Sequence, residues 1–240
     1  MALLIERSTI RPSSIFCVGK NYRDHALEME QWEQKGLDPK HALLPEEPVI
    51  FMKPASALSP EGTTSIPVFG DSPLSACMHY EVELVLLIDR DVDFAPPEEA
   101  SGYIRGYGVG LDMTLRDVQL EAKKTGNPWL KSKGFRQSAL VSDFISRTDA
   151  GRWQELSIAL RHNGTEVQHS AVSEMIFSPE YLVHYLSWVY GLRKDDLVFT
   201  GTPAGVGRVS SGDRLDAYLS GKDRIMPEQS ALVSLEVYVS

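Results

Sequence analysis

The stretch MHYEVELVLLI, residues 78–88, constrains the fold most strongly, because its apolar side chains cover both faces of a predicted strand. Side chains of a strand alternate between its two faces. One face carries four apolar residues and the other carries two: Val82, Leu84, Leu86 and Ile88, then Val85 and Leu87. A strand that is apolar on both faces is typical of a sheet covered on both sides. We therefore expect residues 82–88 to run through the interior of the protein.

Two carboxylates, Glu81 and Glu83, lie inside this apolar stretch and on one face of it. Their spacing of two residues places them roughly 7 Å apart, and burying ionised carboxylates at that separation is unfavourable without a partner. Three explanations remain open from these residues alone. The glutamates lie at a solvated end of the strand, or they pair with Lys or Arg, or they bind a divalent cation, which prefers oxygen ligands.

Short strand-like runs outnumber helical segments along the chain. The further runs are SIFCVG, PVIFMK, YGVGLDM, ELSIALRHNG, DLVFTG and ALVSLEVYV. Asn163-Gly164 lies between two alternating runs and predicts a hairpin turn. Because the strands do not alternate regularly with helices, they favour an α+β or mainly β domain over a doubly wound parallel sheet.

Three segments are predicted helices: residues 22–36, a segment between Thr114 and Gly126, and a segment from Ser178 to Gly191. Thr114 followed by Asp117 is a capping-box signal at the start of the second helix. Pro179 suits the first position of the third helix, where its missing N–H has no cost.

Composition and charge restrict the class of protein. The chain has 240 residues, of which 42% are hydrophobic and 24% charged, as in soluble globular proteins. A formal net charge of −9 argues against nucleic-acid and anionic-membrane partners. No apolar run approaches the ~20 residues of a membrane span, and MALLIERSTIRPSS lacks the features of a signal peptide. Cys17 and Cys77 lie outside any CxxC pair and are expected to be free thiols.

Asp112 offers a third carboxylate, at the junction between the predicted strand YGVGLD and the helix that follows Thr114. Such junctions often carry functional groups, although Asp112 alone is also consistent with a turn or cap residue. His25 and Glu28, three residues apart, share one face of the first helix. A carboxylate beside an imidazole raises its basicity, as a general base acting on water requires, but exposed helical pairs have the same spacing.

Five cationic side chains lie in or beside these motifs: Lys20, Arg23, Lys53, Lys131 and Lys133. Lys131 and Lys133 are expected in a loop between aromatic residues. Each cation is either solvated or available to neutralise a carboxylate or an enolate. The glycine-rich turn FTGTPAGVG, residues 199–207, follows a strand and is neither a Walker A loop nor a Rossmann fingerprint. Its backbone N–H groups can hold an anion such as a carboxylate.

Taken in order, these motifs resemble the fumarylacetoacetate hydrolase family, most closely its small acylpyruvate hydrolases and oxaloacetate decarboxylases. The resemblance extends from Ile15 to Tyr218 through CVGKNYRDHALEM, PVIFMKPASAL, HYEVELVLLI, GYGVGLDMTLRDVQ, PWLKSKGF and FTGTPAGVG. It implies an α+β, mainly β fold, with mixed sheets rolled into a partly open barrel or sandwich and a few short helices. It also implies an N-terminal strand and lid-helix region, residues 1–45, packed on a catalytic domain, residues 46–240.

The resemblance assigns roles to individual residues. The implied ligands of one Mg²⁺ or Mn²⁺ per subunit are Glu81, Glu83 and Asp112. The implied catalytic residues are His25, Glu28 and Lys133. The implied substrate-binding residues are Lys20, Arg23, Lys53, Arg116, Gln119 and Thr202, although Arg116 reads as a surface charge from its helix position alone. The segment WEQKGLDPKHALLPEE departs from the family pattern by its length, and Lys20 stands where some relatives have Arg, which recognises carboxylates differently.

The implied activity is metal-dependent cleavage of the carbon–carbon bond of acylpyruvates, such as acetylpyruvate or fumarylpyruvate, with oxaloacetate decarboxylation on the same site. The alternative on the same scaffold is an isomerase or decarboxylase of unsaturated 2-oxo or 2-hydroxy dioates from aromatic degradation. A reading from another class is a metal-stabilised interaction protein without catalysis. The resemblance further implies a small-molecule 2-keto acid substrate, a homodimer and a cytoplasmic location.

Overall fold

A computed structural model of the chain describes residues 3–33, 44–59, 61–221 and 231–240. The strands are β1 (Leu4–Ile5), β2 (Ile15–Gly19), β3 (Val49–Lys53), β4 (Thr63–Thr64), β5 (Val68–Phe69), β6 (Ser72–Pro73), β7 (Met78–Tyr80), β8 (Val82–Ile88), β9 (Ile104–Asp112), β10 (Thr114–Leu115), β11 (Ala139–Val141), β12 (Phe144–Ser146), β13 (Leu156–His162), β14 (Thr165–Ala171), β15 (Leu197–Phe199), β16 (Gly207–Val209), β17 (Arg214–Gly221) and β18 (Ala231–Val239). The α-helices are α1 (Arg23–Glu33), α2 (Arg116–Thr125), α3 (Leu130–Lys133), α4 (Arg147–Ala150) and α5 (Pro179–Val189). Short 3-10 turns lie at Arg7–Thr9, Ala55–Ala57, Ala100–Tyr103, Trp153–Glu155 and Val172–Glu174.

The described strands form mixed sheets. The largest has the order β1-β12-β9-β8-β15-β2-β3, with β11 also paired to β9. A five-stranded sheet has the order β14-β13-β17-β18-β4, and a small sheet has the order β10-β7-β16. Most pairs are antiparallel, whereas β15 with β2 and β18 with β4 are parallel. This mainly β, α+β arrangement with a few short helices confirms the predicted fold class as a partly open sandwich.

The central strand β8 is buried along its whole length. Its side chains at even-numbered positions, from Val82 to Ile88, belong to the apolar core that the largest sheet shares with the five-stranded sheet. Val85 and Leu87 belong to a second core, together with Phe144 and Phe199. Each such side chain contributes about 1.5–3 kcal/mol by leaving water. The prediction of a strand covered on both sides is confirmed.

Gly110 allows β9 to lie close to the second core beside β8. It pairs with Glu83 in the register of the two strands. A Cβ atom at this position would lie 2.7 Å from Val85 and 2.8 Å from the carbonyl oxygen of Leu140, which is closer than packed atoms approach. The glycine therefore keeps β9 against β8 and brings Asp112, two residues further on, to the face that carries Glu83.

Two predicted element boundaries are confirmed. Asn163 and Gly164 have φ angles of 50° and 83° and connect β13 to β14 as a hairpin. Ser178 caps α5 by accepting a hydrogen bond from the N–H of Tyr181, and Pro179 is the first residue of the helix. Local signals sufficed at both places because the turn and the cap are made by neighbouring residues.

The predicted capping box at the start of α2 is wrong. The residue that precedes the helix is Leu115, which makes no side-chain cap. The hydroxyl of Thr114 instead accepts a hydrogen bond from Lys133 at 2.6 Å. Asp117 accepts hydrogen bonds from Ser75 at 2.5 Å and from a backbone N–H at 2.9 Å, so tertiary partners replace the local cap.

Other expectations have mixed outcomes. The predicted end of the first helix near Gly36 lies outside the described residues. The segment with Lys131 and Lys133 forms the single-turn helix α3 and not a loop. β1 and β2 are strands of the largest sheet, and the division at residue 45 stays a prediction. Cys17 and Cys77 are free thiols, as expected. Within the described ranges, none of the helices has the length and apolar character to cross a membrane.

Candidate metal centre and active site

Three carboxylates converge where β8 begins and β9 ends. Glu81 lies in the link between β7 and β8, Glu83 lies in β8, and Asp112 is the last residue of β9. One oxygen atom of each carboxylate lies within 4.8 Å of the others. The three residues are at most 4% exposed, so a solvated strand end does not explain the glutamates.

Three buried cations neutralise this charge: Lys133, Arg116 and Lys53, whose Nζ lies 2.8 Å from Asp112 Oδ1. Lys133 Nζ lies 2.6 Å from Glu81 Oε2 and 2.7 Å from Asp112 Oδ2, and Arg116 donates to Glu81 Oε1. Burial alone would raise the pKa of Glu81, but the charges of Lys133 and Arg116 outweigh it and hold that pKa well below its usual range. The same carboxylates overcome the effect of burial on Lys133 and raise its pKa. Ion pairing therefore explains how the buried carboxylate of Glu81 is stabilised in its ionised form.

Glu83 has a different environment. Its Oε2 accepts a hydrogen bond from the backbone N–H of Gly201 at 2.7 Å. Burial and then the negative charges of Asp112 and Glu81 raise its pKa well above the usual range, against smaller opposing effects. A buried carboxylate beside two others is stabilised when a cation joins the group.

The arrangement of oxygen atoms fits a hard divalent cation such as Mg²⁺ or Mn²⁺. The chemistry of the donor set supports this fit, because three buried carboxylates bring one oxygen atom each within 4.8 Å of the others, although Lys53 Nζ also lies 2.8 Å from Asp112 Oδ1 in an ion pair. One oxygen each from Glu81, Glu83 and Asp112 would supply an all-oxygen ligand set. The acidic cluster can therefore hold a metal ion.

His25 and Glu28 both lie on α1, and their side chains contact each other. Nδ1 of His25 lies 3.2 Å from Glu28 Oε2, and His25 is 6% exposed. The backbone N–H of Gly205 donates to both oxygens of Glu28 at 3.3 Å. The glycine-rich turn thus holds anions as its sequence suggested, and they are the protein's own carboxylates: Glu83 at Gly201 and Glu28 at Gly205.

Most of the residues predicted for the site line one pocket: Lys20, His25, Glu81, Glu83, Asp112, Arg116, Gln119, Lys133 and Thr202. Arg116 is 4% exposed and donates to Gln119 at 2.6 Å, so its reading as a surface charge is wrong. The pocket is also lined by side chains that sequence reasoning missed, among them Phe51, Lys123 and Trp129.

Two predicted substrate-binding residues are not brought to this pocket. Lys53 is completely buried and bonds to Ser138 at 3.0 Å and to the carbonyl oxygen of Lys133, so it lies behind the pocket wall and positions Asp112. Arg23 is exposed and lines a separate depression beside α1.

Gln168 of β14 is a positioning residue that the sequence did not reveal. Its Oε1 accepts from the N–H of Val82 at 3.0 Å, and its Nε2 donates to the Thr202 hydroxyl and to the Pro203 carbonyl, both at 2.9 Å. The amide therefore connects the backbone between Glu81 and Glu83 to the glycine-rich turn. No local pattern marks this residue, because its partners are distant in sequence.

The mainly β scaffold brings a buried carboxylate cluster, a buried lysine and a His–Glu pair together around one pocket, which is a candidate metal centre. The chain belongs to the fumarylacetoacetate hydrolase family, since the model for "Fumarylacetoacetate (FAA) hydrolase C-terminal" matches residues 14–238. The resemblance predicted from the motifs is confirmed, and this is a family of enzymes with metal-dependent members.

Similar proteins carry several activities in their names. The mitochondrial oxaloacetate tautomerase of Rattus norvegicus is 38% identical over 209 residues, which cover 87% of each chain. The fumarylpyruvate hydrolase of Pseudomonas aeruginosa, solved with Mn²⁺ and pyruvate, has a TM-score of 0.79 and 32% identity, covering 99% of this chain and 95% of that one. The 2-hydroxyhepta-2,4-diene-1,7-dioate isomerase of Mycobacterium marinum has a TM-score of 0.72 and 28% identity, covering 99% and 77%.

Proposed function

We propose that the protein is a divalent-metal-dependent hydrolase that cleaves acylpyruvates, which are 2,4-diketo acids, to pyruvate and a carboxylic acid. The observation that carries the proposal is that His25, backed by Glu28, lines the same pocket as the carboxylate cluster. A base and an electrophilic centre in one pocket are what hydrolysis of a carbon–carbon bond beside a carbonyl requires.

Glu81, Glu83 and Asp112 would hold one Mg²⁺ or Mn²⁺ per subunit. When bound, the ion would polarise the carboxylate and 2-keto oxygens of the substrate and stabilise negative charge on them. The name of the Pseudomonas aeruginosa structure, which contains Mn²⁺ and pyruvate, supports this role for the cluster. We take Mg²⁺ as the first ion to test.

The chain's own residues supply the proton transfers. Because Nδ1 of His25 contacts Glu28, its Nε2 is the nitrogen that takes a proton from water. The hydroxide attacks the distal carbonyl carbon, and the bond between that carbon and the methylene carbon breaks. The electron pair goes to the departing pyruvate as its enolate, which Lys133 stabilises by charge. Protonation of the enolate carbon by His25 gives pyruvate and restores the base.

Keto–enol tautomerisation of oxaloacetate is the second candidate, and the name of the Rattus norvegicus relative favours it. His25 would then move a proton at the carbon beside the keto group, and water would not attack. Decarboxylation of oxaloacetate needs no base, so the His25–Glu28 pair argues against it as the main reaction. In the alternative isomerisation of an unsaturated dioate, His25 would also transfer a proton, but the product would differ from that of hydrolysis.

An assay of Mg²⁺-loaded protein on acetylpyruvate, fumarylpyruvate, oxaloacetate and an unsaturated 2-hydroxy dioate tests the proposal. We expect pyruvate release from an acylpyruvate, and at least 100-fold loss in His25→Ala, because a positioned base contributes about 10²–10⁴-fold. Loss of enol-oxaloacetate absorbance without pyruvate would favour the tautomerase. Carbon dioxide release that is insensitive to His25→Ala would favour decarboxylation and overturn the hydrolase.

A homodimer and a cytoplasmic location complete the proposal, on family resemblance alone. Light scattering coupled to size-exclusion chromatography should give twice the chain mass of 26.7 kDa. Fractionation of the source cells should recover the protein with cytoplasmic markers. A monomer of full activity would remove the dimer from the proposal.

A further inference from the structure

One face of α2 runs from the carboxylate cluster to the outer part of the pocket. Arg116, Gln119 and Lys123 are spaced at i, i+3 and i+7, which places them on one helix face. All three line the pocket. Arg116 and Gln119 are buried, whereas Lys123 is half-buried about 10 Å further along the helix axis. The face therefore presents a second cation at a distance from the candidate metal centre.

Two aromatic rings fill the wall between the inner and the outer lysine. Lys133 Nζ lies 5.0 Å from the centre of the Phe51 ring, and Lys123 Nζ lies 5.1 Å from the centre of the Trp129 ring. The two rings meet edge to face, with centres 5.7 Å apart. Each ammonium group is within the range of a cation–π interaction, which fixes its position over the ring. Trp129 thereby holds Lys123 at the pocket.

The charges around the pocket favour a dianionic substrate. Its lining contains four cationic side chains, Lys20, Arg116, Lys123 and Lys133, and three carboxylates. A bound divalent ion would add two positive charges. A monocarboxylic 2-keto acid supplies one negative charge against this excess, whereas a dicarboxylic one supplies two and leaves the pocket closer to neutral.

We infer that Lys123, Trp129 and Phe51 form a subsite for the distal carboxylate of an extended dicarboxylic acylpyruvate. The ammonium group of Lys123 binds that carboxylate, and the two rings pack against the unsaturated carbons of the spacer. The inference rests on the proposed function and narrows its substrate class. Fumarylpyruvate has such a distal carboxylate, and acetylpyruvate ends in a methyl group.

The test compares Lys123→Gln with wild type on fumarylpyruvate and acetylpyruvate, both with Mg²⁺. We expect kcat/KM for fumarylpyruvate to fall about tenfold, mostly through KM, because a charge-assisted hydrogen bond is lost. The fall in kcat/KM for acetylpyruvate should be at least fivefold smaller than the fall for fumarylpyruvate. Lys123→Arg should restore most of the loss. Lys124→Gln is the matched control, because Lys124 is an exposed neighbouring charge that does not line the pocket. This variant should leave kcat/KM for both substrates unchanged.

A binding measurement separates failure of this inference from failure of the proposed function. Calorimetric titration of Mg²⁺-loaded protein with 2-oxoheptanedioate and 2-oxoheptanoate compares two ligands of the same seven-carbon length as fumarylpyruvate that differ only in a distal carboxylate or methyl group. Wild type should prefer 2-oxoheptanedioate, and Lys123→Gln should lose most of that preference. If wild type cleaves neither acylpyruvate but shows this pattern, the hydrolase fails and the subsite stands. If Lys123→Gln weakens both ligands equally, or if Lys20→Gln alone removes the preference, the subsite is wrong.

Discussion

Glu28 on α1 and Gly205 in the glycine-rich turn are joined by a hydrogen bond from the glycine N–H to both carboxylate oxygens, at 3.3 Å. The same carboxylate lies 3.2 Å from His25. The helix that carries the proposed base is therefore anchored to a turn that is distant from it in sequence, so the position of the imidazole depends on that turn.

Substitution of Gly205 by Ala should disturb the proposed base without touching it. Gly205 has a φ of +98°, and a Cβ atom there would collide with the carbonyl oxygen of Val167. We expect kcat to fall at least tenfold and the free energy of unfolding to fall by about 1–3 kcal/mol. Gly212→Ala is the control, because Gly212 has a φ of +92° with open space around it. Equal kcat values in the two variants would contradict the anchoring role.

Gln168→Leu should destabilise the protein and weaken substrate binding. The leucine leaves the Val82 N–H, the Thr202 hydroxyl and the Pro203 carbonyl without their amide partner, which costs about 1–3 kcal/mol for each buried group left unpaired. Urea unfolding should report the loss, and KM should rise because Thr202 is no longer oriented. Gln154→Leu, at a partly exposed position, should change neither quantity. Unchanged stability in Gln168→Leu would refute the role given to its amide.

Glu83→Gln should remove a loss of stability with rising pH from the metal-free protein. The folded state raises the pKa of Glu83 above its ordinary value of 4.5, so it binds this proton more tightly than the unfolded state does. The stability linked to that proton is complete below the ordinary pKa and is lost as pH rises through the folded pKa. The pKa of Glu81 is lowered in the folded state, so its contribution to stability is lost only below pH 4.5. That contribution therefore stays constant between about pH 5 and pH 8.

Thermal unfolding in EDTA between about pH 5 and pH 8 checks this prediction. The stability of wild type should decline with rising pH relative to Glu83→Gln. Mg²⁺ should raise the Tm of wild type most at high pH, because the ligands must be ionised. Glu121→Gln, an exposed site on α2, should behave as wild type. A Mg²⁺ response that survives in Glu83→Gln would remove this residue from the ligand set.

Lys133→Met should destabilise the metal-free protein by about 3–5 kcal/mol, because Glu81 and Asp112 would remain buried without their shared ammonium group. Mg²⁺ should restore part of this loss in urea unfolding while turnover stays absent. Lys131→Met, on the exposed side of the same short helix, should leave both stability and turnover near wild type. Indistinguishable unfolding of the two variants would show that Lys133 does not hold the carboxylates.

Sequence reasoning succeeded where neighbouring residues determine the structure. The alternation of residues 81–88 assigned the apolar side chains and the two glutamates to the correct faces, and the Asn163-Gly164 turn followed from its own backbone preferences. The position of Asp112 at a strand end was visible for the same reason. Family motifs then brought these separate positions to one site, which local patterns alone left open.

The remaining contacts depend on partners distant in sequence. Thr114 and Asp117 have the spacing of a helix cap, yet Lys133 and Ser75 bind them instead. Lys53 stands at a strand end where lysines are usually solvated, and the fold turns it inward onto Asp112. Only the tertiary arrangement provides these partners, so no window of the sequence predicts them.

The division of β8 between two cores has a consequence for how such a protein can diverge. From Glu81, just before β8, the odd-numbered side chains continue through Glu83 to Val85 and Leu87, and the even-numbered side chains of β8 fill the opposite core. A shift of one residue in the register of β8 would move every side chain to the opposite face of the sheet. Both glutamates would then point into the apolar core, and the apolar side chains of the two cores would exchange faces. Single substitutions in the pocket walls on β3 and α2 can therefore change what the pocket accepts, whereas the register of β8 against its neighbouring strands stays fixed.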